Sequence, residues 1–107
     1  MDVLQKSIDL MSLYDYYQEL LTEKQRTYFE NYYFEDYSLQ EISENMGVSR
    51  NAVHDQLKRT AKKLFDLEAK LHLRERSKQR QMIISKLKET TNQEELTNLI
   101  NELEKVE

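Results

Sequence analysis

The chain has no cysteine, no proline and a single glycine, Gly47, in 107 residues. Without cysteine there is neither a disulfide nor a thiolate metal site, so a domain of this size has to be held by packing, as is usual in a reducing compartment. With no proline and one glycine, the punctuation that β-hairpins need is missing, and helices joined by short polar turns are expected. No apolar run approaches the roughly 18 residues of a membrane span, and Asp2, Lys6 and Asp9 interrupt the first ten positions. A protein that is neither secreted nor membrane-embedded is therefore expected, with a cytoplasmic location. A glycine-rich loop to cradle phosphate and a nucleophile motif are also lacking, so no enzyme is expected. His54 and His72 fall on one predicted helix, but their separation of about 27 Å prevents a shared metal; no metal and no other cofactor is expected.

What the chain does have is charge, at 34% of residues, unevenly spread. Residues 1–57 carry four basic and eleven acidic side chains, residues 58–90 eleven basic and four acidic, and the last seventeen one basic and five acidic. A basic stripe able to meet phosphate is thus set beside a body that repels it; a solvated helix surface with ordinary charge pairing accounts for the same pattern. Disorder is opposed by apolar and aromatic residues recurring at helical spacing.

Four helices are predicted first. One runs from Val3 to about Leu20, its apolar face supplied by Leu4, Ile8, Met11, Leu13, Tyr14 and Tyr17. Thr22-Glu23-Lys24-Gln25 has capping-box spacing and opens a second helix with Tyr28, Phe29, Tyr32 and Tyr33 on one face, closing near Phe34. Ser38-Leu39-Gln40-Glu41 is another capping box, with Tyr37 placed to staple onto Ile42, and Gly47 after Met46 marks the end of a short third helix. Ser49 can cap a long fourth helix whose Val53, Leu57, Thr60, Leu64, Leu67 and Leu71 alternate four- and three-residue steps. Residues 74–81 contain no apolar side chain and fit either a linker or an exposed helical turn or two. A helical segment around Met82–Leu87 follows, and Thr91-Asn92-Gln93-Glu94 caps a last helix with Leu96, Leu99, Ile100, Leu103 and Val106 in a narrow stripe.

Two helices separated by a short glycine-containing turn are the minimum of a helix-turn-helix, here within residues 38–62. Leu39, Ile42 and Met46 are expected to face Val48, Val53 and Leu57, with Ser43 small at the crossing. At 100° per residue, Asn51, His54, Asp55, Lys58 and Lys62 then point away from the packed face, where they would enter a major groove. Arg50 and Arg59 flank them within reach of phosphates. Asp55 dissents, since a carboxylate repels phosphate, although it can accept from a cytosine amino group. Seven tyrosines between positions 14 and 37 fit a base-stacking platform, but six of them sit at core spacing on predicted helices, which favours buried rings with wet hydroxyls.

Leu21-Thr22-Glu23-Lys24-Gln25, Asp36-Tyr37-Ser38-Leu39-Gln40-Glu41-Ile42 and Gly47-Val48-Ser49-Arg50-Asn51-Ala52-Val53-His54-Asp55 resemble the YlxM family of bacterial helix-turn-helix proteins, and more distantly region 4 of sigma factors. The resemblance holds as far as Leu73 and weakens beyond it. It implies a sigma region 4-like four-helix core in residues 1–73, to which the helical pattern of 74–107 adds a C-terminal extension expected to belong to the same folding unit, within an all-α fold. It also implies a recognition helix from Ser49 to Lys62, supported by Leu39–Met46, giving Ser49, Arg50, Asn51, His54, Lys58, Arg59 and Lys62 as nucleic-acid-binding residues. His54 departs from an aromatic position in relatives. The family's gene position implies a part in the signal recognition particle pathway. Three readings stay open: a regulator binding duplex DNA through Ser49–Lys62; an accessory of the signal recognition particle that binds its RNA or its GTPase through the basic segment Lys58–Lys88; and an interaction module that has kept the fold and lost the groove contacts. Duplex DNA is favoured over RNA as the partner. Leu67, Leu71, Ile84, Leu87, Leu96, Leu99, Ile100 and Leu103 exceed what a four-helix core needs, and a homodimer joined through them is expected.

Overall fold

A computed structural model describes residues 3–106, with side chains from Ser7 onward. The described residues form six α-helices and no strand: α1 (Val3–Tyr17), α2 (Glu23–Tyr33), α3 (Leu39–Met46), α4 (Arg50–Leu71), α5 (Leu73–Glu89) and α6 (Gln93–Lys105). They fall into two compact units, residues 1–70 and 71–107.

In the first unit, α1 stops at Tyr17 and the chain continues in one 3-10 turn, Gln18–Leu20, so the expected helix to Leu20 is interrupted in its last turn. The face it buries is also shifted. Leu10, Leu13, Tyr14 and Tyr17 are buried whereas Ile8 stays exposed, and the Leu4 side chain expected on that face lies outside the described residues. These four pack with Leu21, Phe29 and Leu64 into one cluster. Tyr14 and Phe29 stack with centroids 4.5 Å apart and planes within 5°, an offset arrangement that large aromatic pairs favour.

A second cluster joins α2, α3 and α4 through Tyr28, Ile42, Val53 and Leu57, and Tyr33 packs against both clusters. Tyr28, from α2, is an addition to the helix-turn-helix core expected from the helical spacing. Met46, expected there, is instead exposed and borders a surface depression beside Tyr28 and Val48. The tyrosines divide accordingly: Tyr14, Tyr17 and Tyr28 are buried, Tyr33 half-buried, and Tyr16, Tyr32 and Tyr37 exposed. The hydroxyls of the first two are not simply wet. Tyr14 Oη donates to Glu30 Oε1 at 2.5 Å and Tyr17 Oη to Glu68 Oε1 at 2.6 Å, so two carboxylates satisfy donors that a sealed core would otherwise orphan. Burial, together with the bond to Glu30, pushes the Tyr14 phenol well above its ordinary value near 10, and burial raises Tyr33 as well.

In the second unit, α5 takes in the apolar-free stretch 74–81 as regular helix, so this stretch is no linker. His72, at φ 56°, separates it from α4; histidine is among the few non-glycine types enriched in this left-handed region. The last helix is capped one residue later than expected, with Asn92 accepting from the Glu95 backbone NH at 3.1 Å while Thr90 Oγ1 accepts from the Asn92 NH at 3.2 Å. Ile83 and Leu99 are buried and Ile84, Leu87, Leu96 and Leu103 half-buried. Of the eight side chains expected to seek a second copy, only Leu71 and Ile100 remain exposed, because the chain covers the others itself.

Candidate nucleic-acid interface

The geometry of the interface is laid down by three local signals. Ser38 opens α3 with a reciprocal capping box: its Oγ accepts from the Glu41 NH at 3.0 Å and its own NH donates to Glu41 Oε1 at 3.2 Å. Gly47 closes α3 at φ 67°, ψ 33°, the left-handed conformation that costs an L side chain energy, and the Val48 NH folds back to the Ser43 carbonyl at 3.1 Å, the six-to-one bond of a Schellman closure. Ser49 Oγ then accepts from the Ala52 NH at 3.1 Å and starts α4. Three residues thus reverse the chain with all their signals in agreement. Ser43, buried, satisfies its hydroxyl by donating to the Gln40 carbonyl at 2.7 Å, so a small polar residue is accommodated at the crossing without an orphaned group.

The 22 residues of α4 make a rod of roughly 33 Å, and its two sides differ. Val53, Leu57, Thr60 and Leu64 are buried; Thr60 is accommodated because Oγ1 donates to the Gln56 carbonyl at 2.8 Å. On the other side Arg50, Asn51, His54, Asp55, Lys58, Arg59 and Lys62 are all exposed. All seven positions expected to bind nucleic acid, Ser49 included, therefore lie on the surface along one helix and its cap, and Ser49 is a structural cap before it is anything else. Lys62 is engaged: its Nζ lies 3.0 Å from Asp66 Oδ2, one turn on, in an exposed pair that screening weakens. Shallow depressions run along this side, one bordered by Asp55, Lys58, Arg59 and Lys62 and the next by Lys63, Asp66 and Lys70 together with Arg59 and Lys62. Asp55 and Asp66 are thus the acidic interruptions of an otherwise cationic strip. Among the described residues no three His, Asp or Glu side chains group so as to hold a metal ion, and no helix is long and apolar enough to cross a membrane.

A short capped helix, a three-residue turn opened by a left-handed glycine and a longer helix with one sealed and one polar face define a helix-turn-helix protein. Residues 4–105 match the model of the UPF0122 family, described as "Putative helix-turn-helix protein, YlxM / p13 like", and the chain belongs to that family. It is 47% identical over 110 residues to a UPF0122 protein of Anoxybacillus flavithermus, covering 98% of this chain and all of the relative. With a relative from Oceanobacillus iheyensis it shares 48% over 101 residues, covering 94% of this chain and 96% of the other. A Bacillus cereus relative is 45% identical over 96 residues, covering 90% and 87%. The match extends through α5 and α6, further than the motif resemblance that ended at Leu73.

Proposed function

We propose that the protein binds duplex nucleic acid, DNA in preference to RNA, by laying the first turns of α4 in a major groove. The observation that carries this is the exposed row Arg50, Asn51, His54, Lys58, Arg59 and Lys62, presented by a helix whose opposite side is sealed by Val53 and Leu57. The B-form major groove admits an α-helix, whereas the A-form groove of duplex RNA is too deep and narrow for side chains to read. Asn51 is suited to adenine, His54 and Asp55 to neighbouring edges, and the four cations to phosphates. The unit 1–70 carries nine basic against thirteen acidic side chains, so affinity depends on this strip and not on overall charge.

Selection from a random duplex pool at about 50 mM salt, followed by fluorescence anisotropy, tests the proposal. A duplex bound with a log–log salt slope of roughly −3 to −4, as four phosphate contacts imply, supports it. Absence of duplex binding with retention of a structured RNA, that of the signal recognition particle included, would replace it by the accessory reading. Two-fold assembly would present α4 to two half-sites, and of the eight side chains expected to join it Leu71 and Ile100 are the exposed ones. Sedimentation equilibrium at micromolar concentration decides this, since a single species at 13.0 kDa excludes the dimer.

A further inference from the structure

Beside the sealed face of α4 lies a groove of about 380 Å3, within the range of roughly 300–1,000 Å3 typical of small-molecule sites. All four helices of the first unit contribute to it. Leu10, Leu39, Leu57 and Ala61 are its apolar lining, Tyr32 and Tyr33 are aromatic, and His54 and Lys58, one turn apart on α4, supply its nitrogen groups. Tyr32 is exposed and meets Tyr33 edge to face, centroids 5.0 Å apart at 86°, so a ring face can be offered to a ligand while the pair braces itself.

The charge of this lining is out of character with its surroundings. Unit 1–70 is acidic in sum, yet among the described residues no carboxylate lines the groove, and its one permanent charge is the ammonium of Lys58. An apolar trough with an aromatic side, an imidazole and a cation suits a flat, partly apolar body carrying an anionic group. Stacking on tyrosine is sequence-tolerant because every base has a π-face, and a lysine ammonium is a point-charge partner for phosphate.

We propose that this groove binds a nucleotide, with the base against Tyr32 and the phosphate on Lys58. Lys58 also borders the depression formed with Asp55, Arg59 and Lys62 on the opposite side of the row, and His54 belongs both to the groove and to the exposed row. A nucleotide seated there withdraws two side chains from a major groove, so nucleotide and duplex oppose each other, and by linkage each weakens the other by the same factor. This second part rests on the duplex-binding proposal; occupancy of the groove does not.

The probe is the 5′-monophosphate of 2-aminopurine riboside, whose fluorescence falls on stacking, titrated against the whole chain. Saturable quenching is expected in the wild type, at least about fivefold weaker in Tyr32→Ala. Lys58→Ala should weaken it roughly three- to tenfold, and the riboside lacking phosphate should lose the same factor and ignore Lys58→Ala. In two-dimensional NMR of the unaltered protein, signals of Tyr32, Tyr33 and His54 should shift on adding the monophosphate while those of α6 stay in place. A four-nucleotide single strand carrying the same base separates the sources. Tighter binding of the monomer assigns a free nucleotide and tighter binding of the strand a nucleotide within one, either of which supports the site. No saturable quenching at millimolar probe, quenching indifferent to both substitutions, or NMR shifts confined to other residues would overturn it. Tyr32→Ala should leave duplex affinity intact, and an unaltered protein that quenches the probe yet binds no duplex would overturn the duplex proposal alone.

Discussion

Replacing Gly47 isolates the backbone contribution to the helix-turn-helix, because a Cβ built there meets nothing within 4 Å. With no neighbour to strike, the cost of a side chain is set by φ 67° and ψ 33° alone. The left-handed conformation costs an L residue about 1–2 kcal/mol, offset by the roughly 0.4–1 kcal/mol that alanine removes from the entropy of the unfolded chain, so Gly47→Ala should destabilise by about 1 kcal/mol. Asparagine tolerates this region and should cost less. Valine, branched at Cβ, is a poor occupant of it and should cost more than alanine. The expected order of stability is therefore Gly, Asn, Ala, Val, with a melting-temperature drop of roughly 4–8 °C per kcal/mol for a unit of this size. Urea unfolding followed by far-ultraviolet circular dichroism measures the series, and the urea dependence should be unchanged, since native and unfolded compactness are not altered. If alanine fell within about 0.3 kcal/mol of the wild type, or asparagine below alanine, Gly47 would not be the residue that fixes the turn.

Val53 is fully buried between α3 and α4, so Val53→Asp places an unpaired carboxylate in the second cluster and should abolish cooperative melting, read by calorimetry. The raised phenols predict alkaline sensitivity. Tyr14 and Tyr33 hold their protons more tightly folded than unfolded, so their contribution is intact below about pH 10 and declines as pH rises beyond the unfolded value. Denaturation midpoints measured from pH 8 to 11 should be flat and then fall, and Tyr14→Phe should reduce the fall. Lys58→Ala and Lys62→Ala should each weaken duplex binding and lower the salt slope by about one, whereas Asn51→Ala should change sequence preference at an unchanged slope; identical slopes in all three would refute phosphate roles for the lysines.

The starts of α2, α3 and α4 and the turn at Gly47 were legible in the sequence because they rest on local bonds, although the cap of α6 fell one residue later, at Asn92. Thr22 with Gln25, Ser38 with Glu41, Ser49 with Ala52 and the left-handed Gly47 all involve residues within a few positions, and spacing along the chain is enough to specify them. The exposed row on α4 was legible for the same reason, since helical periodicity separates Val53 and Leu57 from Lys58 and Lys62. What only the tertiary structure decided depends on residues distant in sequence. Tyr28 rather than Met46 fills the core beside Ile42, and Glu30 and Glu68 receive the hydroxyls of Tyr14 and Tyr17 across 16 and 51 positions. The groove that unites Tyr32 with His54 and Lys58 is of the same kind. Periodicity states which way a side chain points from its own helix, but which other helix stands opposite is set by packing among α1, α2, α3 and α4 together, and no spacing within a single segment contains it.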